Sequence, residues 1–176
     1  MLAETGGMEM DSAYFAGGCF WCITPVFAEM DGVARVTSGY CGGTEDSAVY
    51  AKVKSQQTAH RETIRIDYDS SAVSYRALLD RFLASVDPYD AGGQFIDRGR
   101  SYTLAVYFCS DSERRQALAA LDALEQASGR TPCVCVEPFC GFYEAEEEHQ
   151  DFYRKNPEAF RQELIDSGRS GLVTLL

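Results

Sequence analysis

The chain has 176 residues, of which 45% are apolar and 24% are charged, and its formal net charge is −11. That length fits one domain with a sizeable core. The acidic balance argues against nucleic acid or an anionic membrane surface as a partner, because both repel negative charge. No apolar run is long enough to cross a membrane. Residues 1–13 lack the features of a secretory signal and are predicted to form a short flexible arm, followed by a single domain over residues 14–176.

The first half of the chain alternates between predicted strands and helices. A short strand at 14–16 precedes a helix that runs from Cys19 towards Met30. A strand at 33–40 and a weakly helical stretch at 47–54 follow. The strand at 60–69 shows strict alternation, with one face formed by His60, Glu62, Ile64, Ile66 and Tyr68. Apolar residues between positions 75 and 86 then follow helical spacing, which predicts a helix packed on the sheet.

The second half begins with a predicted long loop at 87–101, which contains a proline and three glycines. Residues 102–109 are apolar on both faces, as is typical of a central strand. Ser110 and Glu113 predict a capping box, and a helix ending before Gly129 should follow, its inward residues being Ala117, Leu118, Leu121 and Leu124. A last strand is predicted at 133–137. This pattern favours an α+β two-layer sandwich of the ferredoxin-like kind, a small mixed sheet covered by helices, with a loop-rich C-terminal part.

Cys19 stands out among the seven cysteines. An odd number of cysteines cannot all pair, and without an export signal they are predicted to be free thiols in a reducing cytoplasm. Cys19 follows two glycines and begins a predicted helix, where free N–H groups and the helix dipole favour the thiolate that nucleophilic chemistry needs. The alternative is that Cys19, Phe20 and Trp21 are ordinary core residues.

Cys22 lies about one helical turn after Cys19, within disulfide reach at a helix start. The competing use of this spacing is a zinc site, which needs four converging ligands, and the further candidates for it are Cys133, Cys135, Cys140, His60 and His149. A thioredoxin-like dithiol protein would need a proline before a strand opposite the cysteine pair, and none is evident.

Glu62 shares a strand face with apolar residues, so burial should raise its pKa and make it a candidate general acid. A solvated strand end is the alternative. Tyr40, Tyr102 and Asp97 are candidates for the same sheet edge, the alternatives being core aromatic residues and a turn aspartate. The acidic stretch 144–148 is predicted to cap a helix start.

Five segments together resemble the peptide methionine sulfoxide reductase A family, in the family's order. They are 17–22 (GGCFWC), 38–43 (SGYCGG), 59–62 (AHRE), 97–102 (DRGRSY) and the C-terminal stretch 142–157. The resemblance runs from Tyr14 to about Arg169. It implies reduction of the S epimer of methionine sulfoxide, free or in proteins, through a sulfenic acid, with thioredoxin or another thiol as reductant and no cofactor.

The resemblance also implies a role for each candidate residue. Cys19 would attack the sulfoxide sulfur, and Glu62 would protonate its oxygen. Tyr40 and Tyr102 would hydrogen-bond that oxygen, Asp97 would support the site, and Phe20 and Trp21 would hold the substrate methyl group. Arg98 and Thr103 depart from the family, which commonly has His and Arg at these positions.

Recycling of Cys19 is less well defined by the sequence. Residues 170–176 contain no cysteine, unlike the tail of many members of the family. Cys22 is therefore the predicted resolving partner, with Cys41 or an external thiol as alternatives; roles for Cys109, Cys133, Cys135 and Cys140 are not defined. Two rival functions stay open at this point: a dithiol–disulfide oxidoreductase using Cys19 and Cys22, and a non-enzymatic zinc-binding module.

Overall fold

The computed structural model describes residues 10–169. A six-stranded sheet, in the order β7-β6-β1-β3-β2-β8, forms its centre. The strands are β1 (Met10–Ala16), β2 (Val33–Cys41), β3 (Arg61–Asp69), β6 (Ala105–Phe108), β7 (Cys135–Pro138) and β8 (Tyr143–Glu144). Neighbouring strands are antiparallel except β6 and β7, which are parallel, so the sheet is mixed as predicted. A separate hairpin pairs β4 (Gly93–Gln94) with β5 (Asp97–Arg98).

Six helices accompany the sheet over the described residues, and none of them is long and apolar enough to cross a membrane. They are α1 (Phe20–Ala28), α2 (Tyr50–Lys54), α3 (Tyr75–Ala84), α4 (Asp111–Ser128), α5 (Phe152–Lys155) and α6 (Pro157–Asp166). The main core lies between the sheet and these helices. Phe15 of β1 stacks on Phe82 of α3 at 4.9 Å between ring centroids, and Ile64 and Ile66 of β3 are buried beside them.

Several predicted boundaries change because tertiary pairing overrides local pattern. β1 begins at Met10, which pairs with Asp69, so residues 10–13 belong to the sheet and not to an arm; residues 1–9 lie outside the described part. The strand predicted at 102–109 is shortened to β6, since residues 100–102 form a 3₁₀ turn. The loop predicted at 87–101 contains the β4–β5 hairpin.

Helix α4 confirms its predicted ends and corrects one position of its predicted inner face. Ser110 Oγ accepts a hydrogen bond from the Glu113 N–H at 3.2 Å, and Gly129 adopts a left-handed φ of 68°. Ala117 is buried and Leu121 and Leu124 pack against the core, as predicted. The exception is Leu118, which is 39% exposed, while Ala120 is buried in its place. The close approach that the alanines allow brings α4 onto the sheet and turns Leu118 outwards.

Candidate active site

Cys19 occupies the N-cap position of α1, directly after β1 and the Gly17-Gly18 turn. Gly18 has a φ of +84°, and a Cβ at this position would lie 2.8 Å from Gln94 Cβ. Only glycine fits both the backbone conformation and the contact. The turn therefore presses the chain before Cys19 against the β4–β5 hairpin, and Cys19 is left with 7% of its surface exposed.

Glu62 lies beneath the start of α1, on the α1-facing side of β3, and is 1% exposed. Its Oε2 accepts a hydrogen bond from the Phe20 N–H at 3.0 Å, while its buried Oε1 has no partner. Burial raises the pKa of Glu62 to about 8, against the lowering effect of the Phe20 hydrogen bond. The carboxyl group is thus largely protonated at neutral pH, as a general acid must be.

The protonation of Cys19 differs from the sequence-based expectation. A hydrogen bond with Cys22 and burial raise the pKa of the Cys19 thiol well above its ordinary value, and the charges of Glu62 and Asp97 act in the same direction. The first N–H of the helix, from Phe20, is donated to Glu62 and not to the sulfur. The resting site therefore holds a thiol, because the hydrogen bond with Cys22 and burial outweigh any benefit of the helix N-terminus.

Two tyrosines, Tyr102 and Tyr50, lie near the Cys19–Glu62 pair. Tyr102 is 8% exposed in the 3₁₀ turn after β5, and Tyr50 is half-buried at the start of α2. Burial raises the pKa of both phenols, and the charges of Glu62 and Cys19 contribute to each shift. Both hydroxyls therefore keep their protons and can donate hydrogen bonds. Tyr50 was missed because its short helix shows only a weak pattern in the sequence.

Tyr40 is adjacent to Glu62 across β2 and β3, but its hydroxyl is engaged elsewhere. It donates to Glu146 Oε2 at 3.0 Å, and Glu146 Oε1 accepts from the Tyr50 N–H at 2.8 Å. The single phenolic proton of Tyr40 is used in this contact, and its role as a donor to a substrate oxygen stays a prediction. The acidic stretch lies at a helix start as predicted, since Glu146 is the N-cap of a 3₁₀ helix at Glu147–His149. The Glu146 side chain also accepts the first N–H of α2 and so links Tyr40 to that helix.

Trp21 forms an aromatic wall beside the helix start. Its indole N–H donates to His149 Nδ1 at 3.3 Å, and its ring stacks on Phe152 at 3.9 Å. Tyr50 packs against His149, with 4.0 Å between the two ring centroids. Phe20, the other predicted wall residue, is 1% exposed and packs in the core against Tyr40. Trp21 is therefore the more accessible of the two.

Asp97 lies in β5 and forms an ion pair with a buried arginine. Its Oδ2 accepts from Arg169 Nη1 at 2.8 Å, and Arg169 Nη2 donates to the Gln94 carbonyl at 3.1 Å. Gln94 in turn bonds the backbone of Asp87 through both ends of its amide. This network fixes the loop that carries Asp97 next to Gly18.

The remaining cysteines lie away from Cys19 and Cys22. Cys41 follows Tyr40 on β2 and so faces the opposite side of the sheet, where it packs against Ala105 and Tyr107. Burial raises the pKa of the Cys41 thiol to about 12. Between Met10 and Arg169, no three or more Cys, His, Asp or Glu side chains converge in a way that could hold a metal ion. The structure does not assemble the zinc ligands considered from the sequence.

The fold and this geometry define a thiol-dependent protein in which a dithiol and a neutral carboxylic acid meet at a helix start. A family model described as peptide methionine sulfoxide reductase matches residues 11–173. The MsrA protein of Bacillus velezensis is 42% identical, with 94% of each chain covered. That of Streptococcus equi subsp. equi is 44% identical, covering 87% of this chain and 92% of the relative.

Solved structures agree with the sequence comparisons. Reduced Mxr1 from Saccharomyces cerevisiae has a TM-score of 0.80 and 25% identity, covering 85% of this chain and 87% of the other. Methionine sulfoxide reductase A of Corynebacterium diphtheriae has a TM-score of 0.77 and 25% identity, covering 86% and 77%. The chain belongs to the peptide methionine sulfoxide reductase family. This finding favours an oxidoreductase of that kind over both rival functions.

Proposed function

We propose that this protein reduces the S epimer of methionine sulfoxide, free and in proteins, and thereby repairs oxidised methionine, in the reducing cytoplasm that the sequence predicts. The observation that carries the proposal is Glu62: a buried acid with a pKa of about 8 and one unpaired oxygen, beside Cys19. Sulfoxide oxygen is a poor leaving group unless protonated, so an acid at this position meets the main chemical demand of the reaction.

In the first step, the sulfur of Cys19 attacks the substrate sulfur while Glu62 gives its proton to the sulfoxide oxygen. The oxygen moves from the substrate sulfur to Cys19, and the bond between the two sulfur atoms breaks as methionine leaves, so that Cys19 becomes a sulfenic acid. Glu62 then takes up the proton of the Cys19 thiol. The proton that Glu62 donated stays on the oxygen of the sulfenic acid. Cys19 is oxidised and the substrate sulfur is reduced.

The substrate oxygen would be held by Tyr102 and Tyr50, whose protonated phenols lie near Glu62 and Cys19. Tyr40 acts one contact away, through Glu146, by fixing the start of α2. Trp21 supplies the wall for the substrate methyl group, with Phe20 behind it. Asp97 supports the loop that carries Tyr102.

For recycling, Cys22 is supported as the resolving thiol because it hydrogen-bonds Cys19 and is buried in the same cluster. Cys41 is disfavoured because the sheet lies between it and Cys19. Attack of Cys22 on the sulfenic acid forms a disulfide and water, and thioredoxin restores the dithiol.

The finer form of the fold is also part of the proposal. The order β6-β1-β3-β2, with α1 between β1 and β2 and α3 between β3 and β6, supports a ferredoxin-like two-layer sandwich as that finer form. That the chain forms a single catalytic domain stays a prediction, and the pairing of residues 10–13 with β3 supports including them in it.

The test is to supply each sulfoxide epimer separately, first with dithiothreitol and then with thioredoxin, thioredoxin reductase and NADPH. We expect turnover of the S epimer with both reductants. Absence of methionine with dithiothreitol would contradict the activity, whereas turnover with dithiothreitol alone would contradict only thioredoxin as reductant.

A further inference from the structure

The chain after α6 returns to the Cys19–Cys22 pair. Phe160 and Leu164 of α6 are buried in one cluster with both cysteines. Beyond the helix, the Arg169 N–H donates to the Leu164 carbonyl at 2.9 Å, and the chain reverses at Gly168, which has a φ of +75°. The reversal directs Arg169 back towards the active site.

The Arg169 guanidinium is a buried cation with defined partners. The residue is 3% exposed, its two terminal nitrogens bond Asp97 and the Gln94 carbonyl, and it lies 4.7 Å from the Phe95 ring centroid. A charge buried in this way is destabilising unless it is paired. The surrounding residues therefore form a specific seat for a guanidinium.

This cation lies against the backbone that leads into Cys19. Arg169 Nη2 is 3.4 Å from the position that a Cβ of Gly18 would occupy. Burial acts to lower the pKa of Arg169, but the charges of Cys22, Asp97 and Cys19 raise it, and Cys22 gives the largest of these contributions. The guanidinium is therefore the buried cation next to the Cys19–Cys22 pair, and a nearby cation favours an anionic sulfur.

The recycling step needs such an anion. A thiolate, not a thiol, attacks the sulfur of a sulfenic acid, and its rate follows the thiolate fraction. Cys22 is 1% exposed and lies in one buried cluster with Cys19. A fixed positive charge close to such a pair favours an anionic sulfur.

We propose that Arg169 is a positioning residue for recycling: its guanidinium, anchored on Asp97 and Gln94, supports the sulfur of Cys22 as a thiolate for attack on the Cys19 sulfenic acid. In this step the Cys22–Cys19 S–S bond forms, the S–O bond of Cys19 breaks, and the oxygen leaves as water with the proton that Cys22 released. Cys22 is oxidised and the sulfenic sulfur of Cys19 is reduced. The inference rests on the proposed function.

The experiment follows both steps in one mixture. Reduced protein receives one equivalent of the S sulfoxide without reductant at pH 6–9, and methionine release and the Cys19–Cys22 disulfide are timed separately. We expect Arg169→Met to slow disulfide formation roughly tenfold relative to methionine release and to move its pH midpoint upwards. Arg169→Lys keeps the charge but not both contacts of the guanidinium, so it should restore part of the rate. Arg76→Met, which breaks an exposed Arg76–Asp80 ion pair on α3, is the matched control and should change neither step.

Asp97→Asn tests whether Arg169 acts through its charge or only by anchoring the loop that carries Asp97. If the cation acts on Cys22, removing the competing carboxylate moves the pH midpoint of disulfide formation downwards, opposite to Arg169→Met, and this comparison holds even if Arg169→Met does not fold. Equal slowing of both steps with no pH shift, or a shift of the same sign in both variants, would overturn the proposal. A wild-type protein that releases no methionine refutes the proposed function itself, and one that releases methionine without the disulfide refutes recycling through Cys22.

Discussion

The two faces of the sheet are supplied by the same strands but differ in how their polar groups are satisfied. On the α1 side, Glu62 of β3 keeps one buried oxygen without a partner. On the opposite side, its neighbour Arg61 is also 1% exposed, yet it bonds Thr103 Oγ1 at 2.9 Å, Tyr107 Oη at 2.9 Å and Glu137 at 3.1 Å. Both residues are buried and ionisable, and both come from one dipeptide.

The difference separates a reactive group from a structural one. Buried polar groups are normally satisfied, and an exception in a native fold calls for an explanation. The satisfied Arg61 ties β3 to β6 and β7, whereas the unpaired oxygen of Glu62 is free to meet a substrate. Two buried cysteines are divided between the faces in the same way. Cys19 lies on the side of Glu62, and Cys41 packs with Tyr107 on the side of Arg61.

The largest difference in rate should appear between variants in which a buried cysteine on one face or the other is replaced by serine. Cys19→Ser removes the only nucleophile, so single-turnover methionine formation should be lost. Cys41→Ser removes a buried thiol from the other face and should keep the rate within about threefold of the wild type. Quenched-flow detection of methionine measures both, and activity in the Cys19 variant would show that the nucleophile lies elsewhere.

Glu62→Gln should give the next largest change. Glutamine keeps the shape of the side chain but has no acidic proton, and general acids typically contribute roughly 10²–10⁴ in rate. We expect the single-turnover rate to fall within that range. Glu125→Gln, at an exposed position of α4, is the matched control. A Glu62 variant as fast as this control would show that Glu62 is not the proton donor.

The pH dependence of stability should distinguish Glu62 from the satisfied groups. Its pKa is raised from 4.5 to about 8 by burial, so its contribution is fully present below pH 4.5 and is lost as pH rises towards 8. Relative to Glu62→Gln, the wild type should lose on the order of a few kcal/mol of unfolding free energy over that window. Urea unfolding of both proteins across pH 4–9 measures the difference, and parallel curves would place the pKa near its ordinary value.

Arg61→Met should affect stability and not chemistry. Its loss leaves Tyr107 and Glu137 without their cation. We expect a loss of about 2–3 kcal/mol, below the ~3–5 kcal/mol typical of a fully buried pair, because the Glu137 side chain is 35% exposed and can rehydrate. The single-turnover rate per folded molecule should stay near that of the wild type. A large loss of rate in stably folded protein would contradict the assignment of a purely structural role to Arg61.

The sequence was informative wherever one element carried the signal. Alternation along β3 predicted that Glu62 would be buried among apolar residues, and the glycine pair predicted the turn before Cys19. The ends of α4 followed from Ser110, Glu113 and Gly129 alone. In each case the property depends on residues close together in the chain.

What the sequence could not supply depended on distant contacts. Tyr40 matched a motif, but its hydroxyl is engaged by Glu146, 106 residues later in the chain. The helix position of Cys19 predicted a thiolate, whereas the hydrogen bond with Cys22 and burial raise the pKa of its thiol well above the ordinary value. Arg169 gave no local signal, because its role arises only where the end of the described chain meets the β4–β5 hairpin.

The most direct test of the central claim is a single turnover with the reduced wild-type protein, without external reductant, given each sulfoxide epimer in turn. The account predicts one equivalent of methionine from the S epimer, none from the R epimer, and the loss of two thiols joined as a Cys19–Cys22 disulfide. Methionine from the R epimer, or no methionine while Cys19 stays reduced, would contradict it.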